Sequence, residues 1–266
     1  MNLRRKYRKM TLSLEEKRHK PPRILIYGPH GLGKSTFGAL APNPVFIQTE
    51  DGLDAIDAPC YPLAKSFSEV MTHITELATS DHDRKTLIVD SVDWLEPLIQ
   101  NQVASEHNVK SVEDIPYGKG FGMALDLWRK YISSLNYLRD EKDMMIIQTA
   151  HADIKRYENP DTDAYDRFEI KLHKKASPIL MEHSDIVLFA NYFVGIAKEE
   201  KAFAKEGRKR AIGSGERILY TQERPSASAK NRYDLPSEIP FDKEGKYWKV
   251  IADHVPYYNT KQKETK

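Results

Sequence analysis

Gly28-Pro29-His30-Gly31-Leu32-Gly33-Lys34-Ser35 fits the pattern G-x-x-x-x-G-K-[ST] of the phosphate-binding P-loop, and its flanks agree with that reading. Arg23-Ile24-Leu25-Ile26-Tyr27 before it is a short apolar run, as a buried parallel strand would be. Ser35-Thr36-Phe37-Gly38-Ala39-Leu40 after it can begin a helix. Glycines here let backbone N–H groups turn inward around phosphate oxygens, and a helix N-terminus adds partial positive charge. The octet and Thr36 are therefore expected to cradle a nucleoside triphosphate. Lys34 would reach the β- and γ-phosphates, and the Ser35 hydroxyl would hold Mg²⁺. Strand, loop and helix in this order predict an α/β fold and a nucleoside triphosphatase or kinase.

A chain of 266 residues suits one large α/β domain with appendages. The net charge of +2 implies no global attraction to nucleic acid or membrane, so any polyanion binding must come from local patches. A single cysteine, Cys60, excludes an internal disulfide and a cysteine-rich zinc site. No stretch has the length of a membrane span, and the basic start lacks the apolar centre of a signal peptide. The expectation is a soluble protein of the cytoplasm with no membrane partner. Residues 1–22 read as a basic arm, in which Arg4, Arg5, Lys6, Arg8, Lys9, Lys17, Arg18 and Lys20 are opposed by Glu15 and Glu16. It is either a solvated tail or an arm that touches a polyanion or a neighbouring subunit. Residues 23–240 read as the core and 241–266 as a C-terminal extension with a frayed polar end.

Strand and helix signals alternate after the P-loop. Apolar runs at Pro44–Gln48, Thr86–Asp90, Met144–Gln148 and Ile186–Ala190 predict buried strands. Helical spacing appears over Ser66–Thr79, Val92–Val103 and Gly122–Leu138, with a short helix near Pro178–Met181. Ser66 and Glu69 suit a capping box. Met123, Leu127, Tyr131 and Leu135 are the expected inner face of the third helix. The alternation predicts a mostly parallel sheet flanked by helices. Tyr192–Ile196 and Arg217–Thr221 then read as an antiparallel β extension. Residues 152–175, around Asn159-Pro160-Asp161, show little periodicity and read as a long polar loop.

Hydrolysis needs more than a P-loop: a carboxylate on Mg²⁺ and a group that activates water. Asp90 ends the buried run Leu87-Ile88-Val89, as a Walker B aspartate does. Ser91 follows it where many helicases and the AAA+ class carry a catalytic glutamate, so the base must come from elsewhere. Glu50, just past the second strand, would face the same crevice as the P-loop; adjacent Asp51 is the other acid there.

Phe46-Ile47-Gln48-Thr49-Glu50-Asp51-Gly52-Leu53-Asp54 resembles the RecA-type recombinase ATPases, which place their water-activating glutamate after this strand. Ala229-Lys230-Asn231-Arg232 resembles the element those proteins present to a neighbouring subunit's nucleotide. Arg217–Thr221 followed by Lys230–Pro236 is similar to phage-encoded ATPases of the Sak type. The likeness spans roughly Arg23 to Pro240 and implies a RecA-like P-loop NTPase core that binds ATP and Mg²⁺. It implies an ATPase stimulated by single-stranded DNA, acting in phage-type recombination or annealing in the host cytoplasm. It further implies self-association as a ring or filament, with Lys230 and Arg232 acting in trans, and a single-strand-binding protein as a partner. The family's polar sensor at the end of the fourth strand would be Gln148 or His151. The expectation is that the chain has no room for the additional DNA-binding domain of full-length recombinases, which puts autonomous strand exchange in doubt.

Three segments offer the cations and aromatics that single strands need. One holds Lys110, Tyr117 and Lys119. A second holds Lys155, Arg156, Tyr157, Tyr165, Arg167, Phe168, Lys171, Lys174 and Lys175, diluted by six acids. The third is the basic turn Lys201, Lys205, Arg208, Lys209 and Arg210. The alternatives are a P-loop nucleotide or small-molecule kinase and a non-catalytic ATP switch.

Overall fold

β1 (Arg23–Gly28), the apolar run before the P-loop, lies inside the sheet and pairs in parallel with β4 (Met145–Tyr157) on one side and β6 (Ile186–Lys198) on the other. The computed structural model describes residues 18–198 and 209–259, the side chains of 194–198 and 209–214 excepted. Beyond β4 come β3 (Thr86–Asp90) and β2 (Pro44–Gln48), also parallel. Beyond β6 come β7 (Lys209–Tyr220) and the short β9 (Glu238–Pro240), both antiparallel, giving the order β2-β3-β4-β1-β6-β7-β9. The expected mostly parallel sheet with an antiparallel extension is thus observed. Its topology, with β4 inserted between the P-loop strand and the strand ending in Asp90, is consistent with a RecA-like P-loop NTPase core. β6 is one continuous strand where the sequence suggested two.

Alternation along the strands builds a core on each face. Leu25 and Tyr27 point to one core, covered by α2 (Phe67–Thr79), α3 (Val92–Glu106), α4 (Lys119–Glu141) and α5 (Ala176–His183). Ile24 and Ile26 point to the other, covered by α1 (Lys34–Ala39) and α6 (Tyr247–His254). Residues 241–259 therefore belong to the packed core and not to an appendage: Phe37 of α1 stacks on Tyr247 at 5.1 Å, and Phe241, Tyr247 and Ile251 are buried. The last residues of the basic arm are also tied down. Arg139 donates to the Pro21 carbonyl and Lys20 pairs with Asp140. Residues 1–17, Lys201, Lys205, Arg208 and Lys261–Lys266 lie outside the described residues.

Three further expectations are corrected. Ala124 and Trp128 join Tyr131 and Leu135 on the inner face of α4, while Met123 and Leu127 flank it, because a strict i, i+4 ladder drifts around a helix of about 3.6 residues per turn and alternating steps of three and four stay on one face. Ser66 caps α2 by accepting from Glu69 N–H, but the Glu69 carboxylate reaches back to Lys65 N–H. Residues 152–175 are not a loop throughout: β4 runs on past the sheet edge and pairs antiparallel with β5 (Tyr165–Ile170) from Ala152↔Ile170 to Tyr157↔Tyr165.

Candidate active site

The parallel strands β1, β2 and β3 all end on one side of the sheet, and Gly28, Glu50 and Asp90 sit at or just past those ends. This is where ligands bind open α/β sheets. Gly28 to Thr36 wrap from the end of β1 into α1. The β1 and β6 backbones approach so closely that a Cβ on Gly28 would lie 2.2 Å from the Ala190 carbonyl oxygen. Gly33 has φ +97°, a left-handed conformation that favours glycine, and a Cβ there would meet the Arg217 guanidinium at 3.2 Å. Lys34 is buried, and its Nζ donates to the carbonyls of Gly28 at 3.1 Å and Pro29 at 2.9 Å. Burial lowers its pKa, opposed by the nearby Asp90, Asp93 and Glu50. Among the described ion pairs it has no carboxylate within salt-bridge distance. A buried ammonium held by carbonyls alone, at the mouth of a P-loop, suits an incoming polyphosphate.

Asp90 is buried at the end of β3 and accepts from the Thr149 hydroxyl of β4. Thr49 donates to the Ser91 carbonyl at 2.6 Å, and the Ser91 hydroxyl donates to Glu50 Oε2 at 3.1 Å. These bonds hold Glu50 beside the end of β3. Burial raises the Glu50 pKa above the usual carboxylate range; His151 opposes that shift and Asp90 adds to it. Asp93, in the first turn of α3, accepts from the His151 backbone N–H at 3.0 Å and faces the His151 Nδ1 at 2.9 Å. Glu50 Oε2 lies 3.8 Å from the same Nδ1. Thr49, Glu50, Trp94 and His151 line a cavity of about 430 Å³.

Gln148, one of the two expected sensors, is not in this group. It is fully buried with Ile146 and Ala150 on the face covered by α4, where its Oε1 accepts from the Tyr131 hydroxyl at 3.0 Å. Strand alternation gives the crevice side to Thr149 and sends Gln148 into the core. His151, the alternative, does stand beside Glu50. Lys230 and Arg232 lie at the other end of the sheet: β8 (Lys230–Asn231) pairs with Ile186 and Val187 at the start of β6. Lys230 donates to the carbonyls of Met181 and Glu182, and Arg232 pairs with Asp185 at 3.0 Å. The offset from the P-loop is about four strand residues, roughly 13 Å, so neither is placed to act on its own chain's nucleotide.

Sequence reasoning missed Asp93, Thr149 and Arg217. Arg217 donates to the Leu32 carbonyl at 2.8 Å and lies over the Phe241 ring at 5.3 Å, closing the P-loop from the β7 side. With Ile218, Pro240 and Phe241 it lines a cavity of about 610 Å³. Only Asp93 left a local trace, as an acid in a helix first turn just after Asp90-Ser91.

Of the residues expected to touch DNA, Tyr117 is 95% exposed, with the Lys119 ammonium 5.9 Å above its ring. On the β4–β5 hairpin, Lys155 is bonded to the carbonyls of Ile170 and Leu172. Arg167 is buried between Glu169, Glu223 and Ser228, so these two are structural. Arg156, Lys171, Lys174 and Lys175 are exposed. Lys209 and Arg210 belong to β7, but their side chains are outside the described part of the molecule.

A family model described as an AAA domain matches residues 20–233. Among solved structures, the crystal structure of the RadB recombinase is similar at a TM-score of 0.40 and 15% identity, covering 73% of this chain and 87% of that one. No curated protein matches. Among the described residues no helix is long and apolar enough to cross a membrane.

Proposed function

Because this chain belongs to the AAA domain family, we propose that it is an ATPase that binds ATP with Mg²⁺ at Gly28–Thr36 and hydrolyses it with Glu50 as the base. The observation that supports this best is the convergence of Lys34, Asp90 and a Ser91-held Glu50 on the carboxyl ends of parallel strands of one sheet. Ser35 and Asp90 are the residues that would hold Mg²⁺, which supplies charge neutralisation on the phosphate oxygens. Lys34 exchanges its carbonyl partners for the outer phosphates. Glu50 takes the proton of the attacking water, and Arg217 supports the loop at Leu32. The cavity lined by Ile218, Pro240 and Phe241, together with Arg217 and the acids Glu216, Glu238 and Asp242, is of the size usual for small-molecule sites, roughly 300–1,000 Å³.

The substrate context we propose is single-stranded DNA, in recombination or annealing of the phage type. Supporting it are the sequence resemblance and the exposed cations and tyrosines of the hairpin and of the segment before α4. ATP hydrolysis measured with and without single-stranded DNA, and with candidate phosphoryl acceptors, tests the reading. DNA-stimulated phosphate release supports it; transfer to an acceptor establishes a kinase; tight binding without turnover establishes a switch.

A further inference from the structure

We propose that Asp93 is a positioning residue that locks the His151 imidazole as its Nδ1–H tautomer, leaving Nε2 as the nitrogen that acts in the cavity shared with Glu50. The catalytic part of this inference rests on the ATPase reading; the tautomer does not. Asp93 grips His151 twice across 58 residues of sequence, at its backbone N–H with Oδ1 and at its ring with Oδ2. One grip fixes the chain at the point where β4 leaves the sheet, and the other fixes the ring. The Asp93 side chain is 2% exposed and the ring 23% exposed, so the contact is shielded while the ring still reaches the cavity.

A carboxylate in that setting is costly unless its oxygens are satisfied. Burial pushes the Asp93 pKa up, but the hydrogen bonds from the His151 ring and backbone N–H hold the carboxyl below its usual range. An ionised carboxylate only accepts, so the proton at the 2.9 Å contact belongs to Nδ1. Nε2 then takes a hydrogen bond when the ring is neutral and donates one when it is charged. The charged groups around this corner include Glu50, Asp90, Lys34 and, on α3 itself, Glu96. A terminal phosphate entering among them only accepts, so Nε2 takes a proton to bind it, and the ring meets the phosphate as an imidazolium that the Asp93 carboxylate stabilises. Hydrolases use a buried aspartate on a histidine in the same way, and there asparagine preserves the geometry while inverting the tautomer.

Asp93→Asn is therefore the informative change, since its amide would donate to Nδ1 and move the ring proton to Nε2. Nucleotide-free protein labelled with ¹⁵N-histidine, with the His151 signals assigned by their loss in His151→Gln, should show the Nδ1–H tautomer in wild type and Nε2–H in Asp93→Asn. By calorimetry, Asp93→Asn should lose roughly 10-fold or more of the preference for a non-hydrolysable ATP analogue over ADP, because without the carboxylate the ring meets the phosphate with a neutral Nε2–H in place of a charge-assisted donor. ADP affinity should hold. Turnover should fall by a factor on the order of 10²–10⁴. An Nε2–H tautomer in wild type overturns the proposal, as does an Asp93→Asn protein with unchanged nucleotide preference and turnover. If Asp93→Asn does not fold, His151→Gln must show the same loss of preference, and a wild-type preference there overturns the proposal. A wild type without ATPase activity would refute the hydrolytic reading alone, since the tautomer and the ATP-over-ADP preference would still decide this one.

Discussion

Glu50 and Lys34 divide the work of the crevice, and their substitutions should separate cleanly. Lys34→Ala removes the buried ammonium of the P-loop and should abolish tight ATP·Mg²⁺ binding in calorimetry. Glu50→Gln keeps the shape and the charge on Lys34, so binding should persist while turnover falls by a factor on the order of 10²–10⁴. Full turnover in Glu50→Gln would move the base to Asp51 or another acid. Burial holds the Glu50 carboxyl above its usual range, so the acid limb of the kcat/KM profile should lie above the pH of an ordinary glutamate. A second titration belongs to stability. Burial and the nearby Arg23 hold His183 down to about 4, against 6.5 for a free histidine. The unfolded chain then takes up a proton through a window in which the folded one does not. Stability present above pH 6.5 is lost as pH falls to about 4, on the order of 3 kcal/mol in all. Urea unfolding of His183→Gln near pH 7 and near pH 4.5 should show a flatter decline than wild type. That the P-loop, Asp90 and Glu50 stand at strand ends was legible in the sequence because each ends or closely follows an apolar run. Asp93, Thr149 and Arg217 were not, because each acts on a residue tens to hundreds of positions away.

The element that most changed on folding the sequence into space is the β4–β5 hairpin. Its period-2 pattern is hidden because an inward position is taken by a charge: Arg167, buried against Glu169, Glu223 and Ser228, with Tyr157 4.8 Å away under its guanidinium. A buried apolar residue there would have announced the strand. The hairpin starts at His151, beside the candidate catalytic acids, and reaches outward to exposed Arg156 and Tyr157. The hairpin and α5 line an open cavity of about 470 Å³ that includes Arg156, Tyr157 and Lys174. If single strands run along this element, Arg156→Ala with Lys174→Ala should weaken binding across all sequences. It should also flatten the slope of log affinity against log salt by roughly 1.4, about 0.7 for each phosphate left without its cation. Fluorescence anisotropy over a salt series measures both. An unchanged slope would leave the hairpin as solvated surface and turn attention to Lys110, Tyr117 and Lys119.

For the whole molecule, the role proposed for Lys230 and Arg232 at a nucleotide would set a demand that one chain cannot meet. Both sit at the amino ends of the parallel strands, while the P-loop lies at the carboxyl ends. If they offset charge building on a γ-phosphate, as the resembled element does, that phosphate belongs to another subunit. Asp185, buried and bonded to Arg23, Arg139 and Arg232, anchors this edge, and only Arg232 of the three is half exposed. A cation delivered in trans makes turnover depend on neighbours, so ATPase activity should rise faster than linearly with protein concentration. Lys230→Ala and Arg232→Ala should lose turnover while keeping nucleotide affinity. Mixing either with Lys34→Ala should restore part of it, because one partner keeps a working P-loop and the other keeps its cations. Linear activity from a monodisperse monomer, without rescue on mixing, would confine Lys230 to tethering α5 and Arg232 to neutralising Asp185.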